Sequence, residues 1–399
     1  MNNAVGVIAF VVALLVSVML HEAGHFATAR HFGMKASKFF VGFGPTLWSF
    51  QRGETEYGIK AIPAGGFVKI EGMTQLEEID PADADRAFFK QAPGRRAIVL
   101  VAGSFMHFVI AVVLIYGVLL ALGTQQGSPN VIGGTSCVSV TGTPCAAGAP
   151  PGPAQQAGLR GGDKVISFDG VPITAWDQFT QLVRNHKAGP ATIVVERDGT
   201  RLTYHPVLQE VRRDRLTGRA GNDQVGAIGL YQGIQTNHIG PVDAVGKTFT
   251  VIGTGITGTY DTIVHKVGDV GNLFSDHRDP NGLVGVVGAA RAGGEVLSTQ
   301  GETAGQRIGD FLILVAGVNL AVGLFNLLPL LPLDGGHLAI LGFEQARHGL
   351  RRLRGYRGPV RRVDLVKLLP ATYAVVAFFV ILSLLILTAD IFNPIRINQ

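Results

Sequence analysis

The sequence predicts an α-helical membrane protein of about four transmembrane helices, with a β-rich loop on one side of the bilayer and a small α+β domain inserted on the other. Three observations predict it. Of the 399 residues, 47% are hydrophobic and only 16% are charged, too apolar a balance for a chain that solvates its whole surface. The apolar residues gather in runs of roughly the 20 that a bilayer demands. Between the second and third runs the texture changes to turn residues and short alternating strands, as in a water-soluble domain.

The first span is residues 1–33. It has no basic leader and no small-residue cleavage site, and it runs straight into ionisable residues, so it reads as a retained helix and not as a secretory signal. A β-rich, membrane-associated loop follows over 34–96. Its stretches Phe39–Pro45 and Gly65–Ile70 alternate short apolar pieces with glycine, which suits short strands and hairpins lying on or dipping into the membrane. Residues 74–90, acidic and polar, read as a solvated connection. The second span is 97–122, the soluble domain 128–210, and an extracytoplasmic, partly amphipathic connection occupies 211–307. The third span covers 308–337, a basic loop 338–367, and the fourth span 368–390.

Charge sets the orientation. Lys and Arg concentrate in the loops 34–96 and 338–367, whereas Met1-Asn2-Asn3 carries no charged side chain and the last residues carry only Arg396. By the positive-inside rule both basic loops are cytoplasmic, and both termini and the inserted domain are extracytoplasmic. The formal charge of +5 is therefore a topology signal of a multi-pass cell-membrane protein, and nucleic acid is not an expected partner. Cys137 and Cys145 both fall in the outer segment, where an oxidising compartment favours a disulfide. Two separate buried thiols are the alternative.

The chemistry gathers at two places. Span one ends His21-Glu22-Ala23-Gly24-His25. Residues four apart share a helix face, so both imidazoles reach one metal ion, and Glu22 beside them can take a proton from water. Ionisable groups inside a membrane helix cost roughly 3 kcal/mol each, so three within one turn are expected to do something. A catalytic zinc wants three protein ligands and an open position. Span three ends Asn326-Leu327-Leu328-Pro329-Leu330-Leu331-Pro332-Leu333-Asp334-Gly335-Gly336-His337. The prolines break the helix and the glycines let the backbone turn, which leaves Asp334 as the acidic group at the end of a distorted helix. Spans one and three run in the same direction, so both motifs arrive near the cytoplasmic side. Asp334 is the expected third ligand, with Zn2+ the metal and Glu22 the catalytic acid/base. His107 reads as a hydrogen-bonded interhelical histidine and His337 as a support.

Two resemblances follow. The order strand, helix, hairpin over 128–210, with Gly158-Leu159, Gly162-Asp163, Ile166 and Asp169-Gly170, closely resembles a PDZ domain. With the HExxH of span one, the NxxPxxPLDGG of span three and the Gly-rich first loop, the whole chain resembles the site-2 proteases, and among them the bacterial PDZ-containing intramembrane zinc metalloproteases, nearest their actinobacterial members. The resemblance implies a zinc metalloendopeptidase of regulated intramembrane proteolysis, cutting within or near the transmembrane helix of a pre-cleaved single-span protein such as an anti-sigma factor. It also implies that Gly65, Gly66, Phe67 and Asn326 hold the substrate in extended form. Where relatives often carry Gly-Pro-x-x-Asn in span two, this chain has Gly103-Ser104-Phe105-Met106-His107.

Overall fold

A computed structural model describes residues 3–73, 79–138, 149–212, 224–266, 271, 273–274, 282–299 and 303–393. Its contacts divide the chain into two units, one of Met1–Leu122 with Gly240–Asn398 and the other of Gly123–Ile239.

Helix α1 (Asn3–His31) contains no proline and is apolar from Ala4 to Leu20 apart from Ser17, and only 22% of its most apolar window is buried within the protein. The remainder is a surface that only lipid can solvate. Strands β1 (Ala36–Arg52) and β2 (Thr55–Ile70) pair antiparallel, and both bend midway. Phe39 pairs with Val68 on one side and Tyr57 on the other, Phe40 with Phe67 and Gly58, and Val41 with Gly66 and Ile59. Residues 36–43 are thus flanked on both sides, giving four short segments in the order 66–70, 36–43, 55–60, 46–52. The bends fall at Gly42 and Gly44, both at positive φ, and at Gly65, φ 129°, a backbone region closed to most side chains.

Part of the segment expected to be solvated is not. Residues 74–78 lie outside the described residues, but the chain then makes two short 3₁₀ turns, Pro81–Arg86 and Phe88–Lys90. Phe88 is buried there among Met34, Ile70, Val99, Leu100 and Leu341. Its apolar ring outweighs the acidic flanks. Helix α2 (Pro93–Leu122) starts four residues before the expected span, because Pro93 occupies a helix start well.

The second unit opens with β3 (Thr124–Thr135), followed by the single turn α3 (Pro153–Gln156), β4 (Lys164–Phe168), β5 (Val171–Pro172) and α4 (Trp176–His186). Then come β6 (Gly189–Pro190), β7 (Ile193–Arg197), β8 (Thr200–Tyr204), β9 (Val207–Arg212), β10 (Gln224–Ala227) and β11 (Leu230–Asn237). One sheet runs β11-β3-β4-β7-β8 with β5 on β4, and a smaller one β10-β9-β6. Asp198 and Gly199, both at positive φ, make the tight β7–β8 turn that matches strand twist. Phe168, Phe179, Ile193, Val195 and Leu208 fill the core. The unit exceeds the expected 128–210 at both ends, since β11 pairs with β3 from Thr124 onward. Cys137 is not a free thiol; Cys145, and with it the expected pairing, lies outside the described residues.

The expected connection 211–307 is accordingly divided. Its start belongs to the second unit, and its remainder forms α5 (Pro241–Asp261) and α6 (Val286–Ser298) in the first. Helix α6 packs on α1 so closely that a Cβ on Gly6 would lie 2.7 Å from the Gly293 carbonyl, the small-residue approach usual between helices in lipid. Helix α7 (Ala304–Asn326) opens with a Thr303–Gln306 capping box. It stops eleven residues before the expected end of span three. The chain turns through Leu327–Leu333 and restarts as α8 (Asp334–Leu353), so the first half of the expected basic loop 338–367 is helical. Helix α9 (Leu369–Phe392) closes the described chain. Among the described residues, four helices, namely α1, α2, α7 and the stretch Leu365–Phe392, are long and apolar enough to cross a membrane; this is a multi-pass membrane protein.

Candidate metal centre

The centre is built where α1, α2 and the start of α8 meet. On α1, His21 and His25 lie one turn apart and are both buried. A Cβ on Gly24, between them, would meet the Ala102 carbonyl at 2.6 Å, and one on Gly103 would lie 2.2 Å from His25 Nε2. Only glycine at both positions lets α2 pack against the imidazoles. His25 Nδ1 donates to the Val99 carbonyl of α2 at 2.7 Å, which fixes the tautomer and leaves Nε2 with its lone pair facing inward.

Asp334 is the first residue of α8, not the last of a distorted span as its position after two prolines suggests. Gly335 and Gly336 are needed because the helix starts directly against the preceding turn: a Cβ on Gly335 would lie 2.2 Å from the Leu327 carbonyl. The carboxylate also sits at the positive end of the helix dipole. Ser104 Oγ donates to its Oδ2 at 3.4 Å.

Three donor atoms converge. His25 Nε2 is 3.2 Å from His21 Nε2, and Asp334 Oδ2 is 3.4 Å from His21 Nε2 and 3.3 Å from His25 Nε2. Zinc held tetrahedrally at about 2.0–2.1 Å places its ligand atoms about 3.3–3.4 Å apart. All three edges of the triangle match that spacing. A cation held between the three atoms would engage both Nε2 atoms and the carboxylate oxygen at once, which a single hydrogen bond between the imidazoles does not. Among the described residues, no other cluster of three His, Cys, Asp or Glu groups has this convergence.

Glu22 is not part of the triangle. Its Oε2 accepts the Val68 N–H of β2 at 3.0 Å, so the carboxylate bridges α1 and the 66–70 edge of the sheet. Gly65, Gly66 and Phe67 lie on that strand beside α1, where a Cβ on Gly66 would meet Met19 Sδ at 2.5 Å. Asn326 is half-buried at the last position of α7, at the start of the turn that leads to Asp334.

His107 takes a different place from a ligand. Its ring centroid is 5.0 Å from that of His21, and its Nδ1 is 2.8 Å from Asn319 Oδ1 on α7. Asn319 Nδ2 donates to the Val315 carbonyl and to Ser17 Oγ, which fixes its amide and requires His107 Nδ1 to carry the proton. A polar chain thus ties α2, α7 and α1 together beside the centre. His337, one turn into α8, lines a small cavity with Arg96 and Glu344.

The sequence reading missed Val99, Ser104, Asn319 and the Val68 N–H. Backbone groups leave no trace in composition. Asn319 did leave one: a lone amide in the apolar run Val315–Val322 is costly in lipid and asks for a partner.

Comparison with known proteins agrees with this centre. The profile described as peptidase family M50 matches residues 9–366. Zinc metalloprotease Rip1 of Mycobacterium tuberculosis is 41% identical over 408 residues, covering 99% of each chain, and Rip1 of Mycolicibacterium smegmatis is 38% identical over 419 residues, covering 100% of each. Zinc metalloprotease RasP of Oceanobacillus iheyensis is 26% identical over 417 residues, covering 86% of this chain and 91% of its own. The convergent donor set and the match along nearly the full length lead to one conclusion: the chain belongs to peptidase family M50, the site-2 proteases, and is a zinc metalloendopeptidase of that type.

Proposed function

We propose that this chain hydrolyses a peptide bond within or near the transmembrane helix of a single-span membrane protein already shortened by another protease, such as an anti-sigma factor, in regulated intramembrane proteolysis. One observation carries the reading: Glu22 stands next to the donor triangle and is hydrogen-bonded to a sheet edge that pairs with no further strand among the described residues. A proton acceptor, a metal-competent donor set and a strand-binding edge thus meet on a helix that spans the membrane.

His21, His25 and Asp334 would hold zinc, which when bound supplies a Lewis acid that lowers the pKa of water to about 7. Glu22 takes the proton of the attacking water and passes it to the departing amide nitrogen. A helical carbonyl is hydrogen-bonded and hidden, so the substrate must unwind first. Added as a strand beside Gly65, Gly66 and Phe67, the unwound segment exchanges its helical bonds for those of the sheet edge. Asn326 offers its amide to the same segment. In this reading residues 128–210 form a PDZ domain, stapled by Cys137 and Cys145, which lies with both termini on the extracytoplasmic side. The basic residues of 34–96 and 338–367 support that orientation.

The test is co-expression with single-span proteins truncated on their outer side. Wild type should cut them within the span and Glu22→Gln should not. Cleavage confined to water-soluble segments, or surviving in Glu22→Gln, would overturn the proposal.

A further inference from the structure

Helix α8 is tied to α2 at two polar points, and only one of them is at the metal centre. Along α8, Asp334, His337, Leu341 and Glu344 follow at intervals of three, four and three, so they share one face. Along α2, Arg96, Leu100 and Ser104 share a face at intervals of four. The two faces meet antiparallel. Ser104 donates to Asp334 at one end, Leu100 and Leu341 are buried in the same cluster midway, and Arg96 lies 3.8 Å from Glu344 Oε2 at the other end.

The second point is a carboxylate in a costly place. Glu344 is only 3% exposed, and a charge taken out of water needs partners. Its Oε1 accepts the Val363 N–H at 2.8 Å. Its Oε2 and Arg96 Nε are both buried, and neither has a hydrogen-bond partner among the described residues. At 3.8 Å the two side chains form an ion pair that is longer than a direct hydrogen bond. The cavity of about 40 Å³ that they line with His337 and Arg362 has the room and the polar groups for a bridging water.

Well-packed apolar residues would hold two helices together at least as firmly as a buried ion pair does. What leucines alone do not fix is register, since one apolar contact replaces another when a helix slides or turns. A single buried polar pair admits one register. Helix α8 has need of it. The chain breaks between α7 and α8 over Leu327–Leu333, so the course of α7 does not carry into α8, and α8 takes its place from what it packs against. One end of that helix carries a carboxylate that must meet two imidazoles within a few tenths of an ångström.

We propose that Glu344 and Arg96 are positioning residues of the metal centre: their buried ion pair fixes the register of α8 on α2, and with it the place of the Asp334 carboxylate. Glu344 is ten residues from Asp334, about 15 Å along one helix, so it acts through the helix and touches neither metal nor substrate. The inference rests on Asp334 as a zinc ligand and on nothing about the substrate.

The experiment measures zinc affinity by chelator competition on the full chain in detergent, for wild type, Glu344→Gln, Arg96→Gln and Asp334→Ala, using only protein that elutes as wild type does. Glu344→Gln keeps the size of the side chain and an acceptor for Val363 but leaves the Arg96 charge alone. It and Arg96→Gln should each bind zinc about tenfold more weakly, the lower end of what supporting a ligand is worth. With cobalt in place of zinc, their visible absorption bands, which follow ligand geometry, should shift from those of wild type. A folded Glu344→Gln with wild-type affinity and wild-type bands overturns the inference. If Asp334→Ala has lost its zinc in that same series, the ligand reading survives; zinc kept in all three variants takes both down. A measurement on wild type covers variants that do not fold. Coupling between two sites is reciprocal, so stripping the zinc should speed exchange of the Val363 amide about tenfold. Equal exchange with and without zinc also overturns the inference.

Discussion

The two units of this molecule differ in what they show to the outside. The first buries polar side chains beside apolar ones and turns many apolar ones outward: His21, His25, Ser104, His107 and Asn319 are buried, as are Phe10 and Phe311, while Ile8, Val12, Val113 and Ile381 are more than half exposed. In the second, Val165, Phe168, Phe179, Ile193 and Val195 form the interior, and the buried charge of Asp163 is held by Arg197 through bonds of 2.6 and 2.8 Å. The difference teaches which solvent each unit answers to. Lipid gives no reward for hiding leucine, so what holds the spans together is close backbone approach at small residues and hydrogen bonds between the few polar ones. Water rewards the burial that the second unit achieves.

If that contrast is right, single changes should act on one unit alone. The largest effect belongs to Glu22→Gln, expected to lower cleavage by about 10²–10⁴-fold, the range for a lost general acid/base, with zinc per chain unchanged. Zinc lost together with activity would make Glu22 a ligand. Asp334→Ala should remove both zinc and activity, read by metal analysis beside the cleavage assay. Gly103→Ala should act almost as strongly without replacing a ligand, because its methyl would fall 2.2 Å from His25 Nε2; a fully active variant would mean that α2 does not press on the imidazole.

The contrast sharpens in the second unit. Arg197→Ala should destabilise it by about 3 kcal/mol, the usual cost of leaving the buried partner of an ion pair alone, here Asp163, and should leave zinc bound. Burial would raise the Asp163 carboxyl, but the Arg197 fork and the Arg160 N–H outweigh it and hold it below the usual carboxylate range. A depressed folded value means that this stabilisation is fully present above the unfolded pKa of about 4 and is lost as the pH falls through the folded one. Amide exchange in β4 and β7 should rise over that acid window in wild type, and Asp163→Asn should flatten the response. The smallest effect on the metal centre is expected from removing residues 123–239 with a short linker. Zinc per chain should not change, whereas removing only 128–210 strips β11 of its pairs with Ile132, Gly134 and Thr135 and should reduce the yield of folded protein.

How much of this was legible in the sequence differs by region for the same reason. The His21–His25 pair was plain because a four-residue spacing on an apolar helix has one geometric meaning. That Asp334 would come near them followed from the direction of the spans, but its element did not: prolines at 329 and 332 say that a helix stops, not that another begins at once. The bends of β1 and β2 depend on the φ of Gly42, Gly44 and Gly65, which composition cannot distinguish from ordinary strand glycines. The limits of the second unit were missed because β3 and β11 are rich in Gly, Gln and Thr and lack the alternation that marks a half-buried strand.

One feature of that second unit reaches beyond this chain. Its first and last strands close on each other, with Thr124 paired to Asn237 and so little room that a Cβ on Gly123 would lie 2.4 Å from the Asn237 carbonyl. The polypeptide leaves for more than a hundred residues and comes back to the spot it left. A domain attached in this way behaves as a cassette: it can be duplicated, exchanged or lost in evolution for the modest entropy of closing one loop, while the helices that carry the chemistry keep the same ends to join.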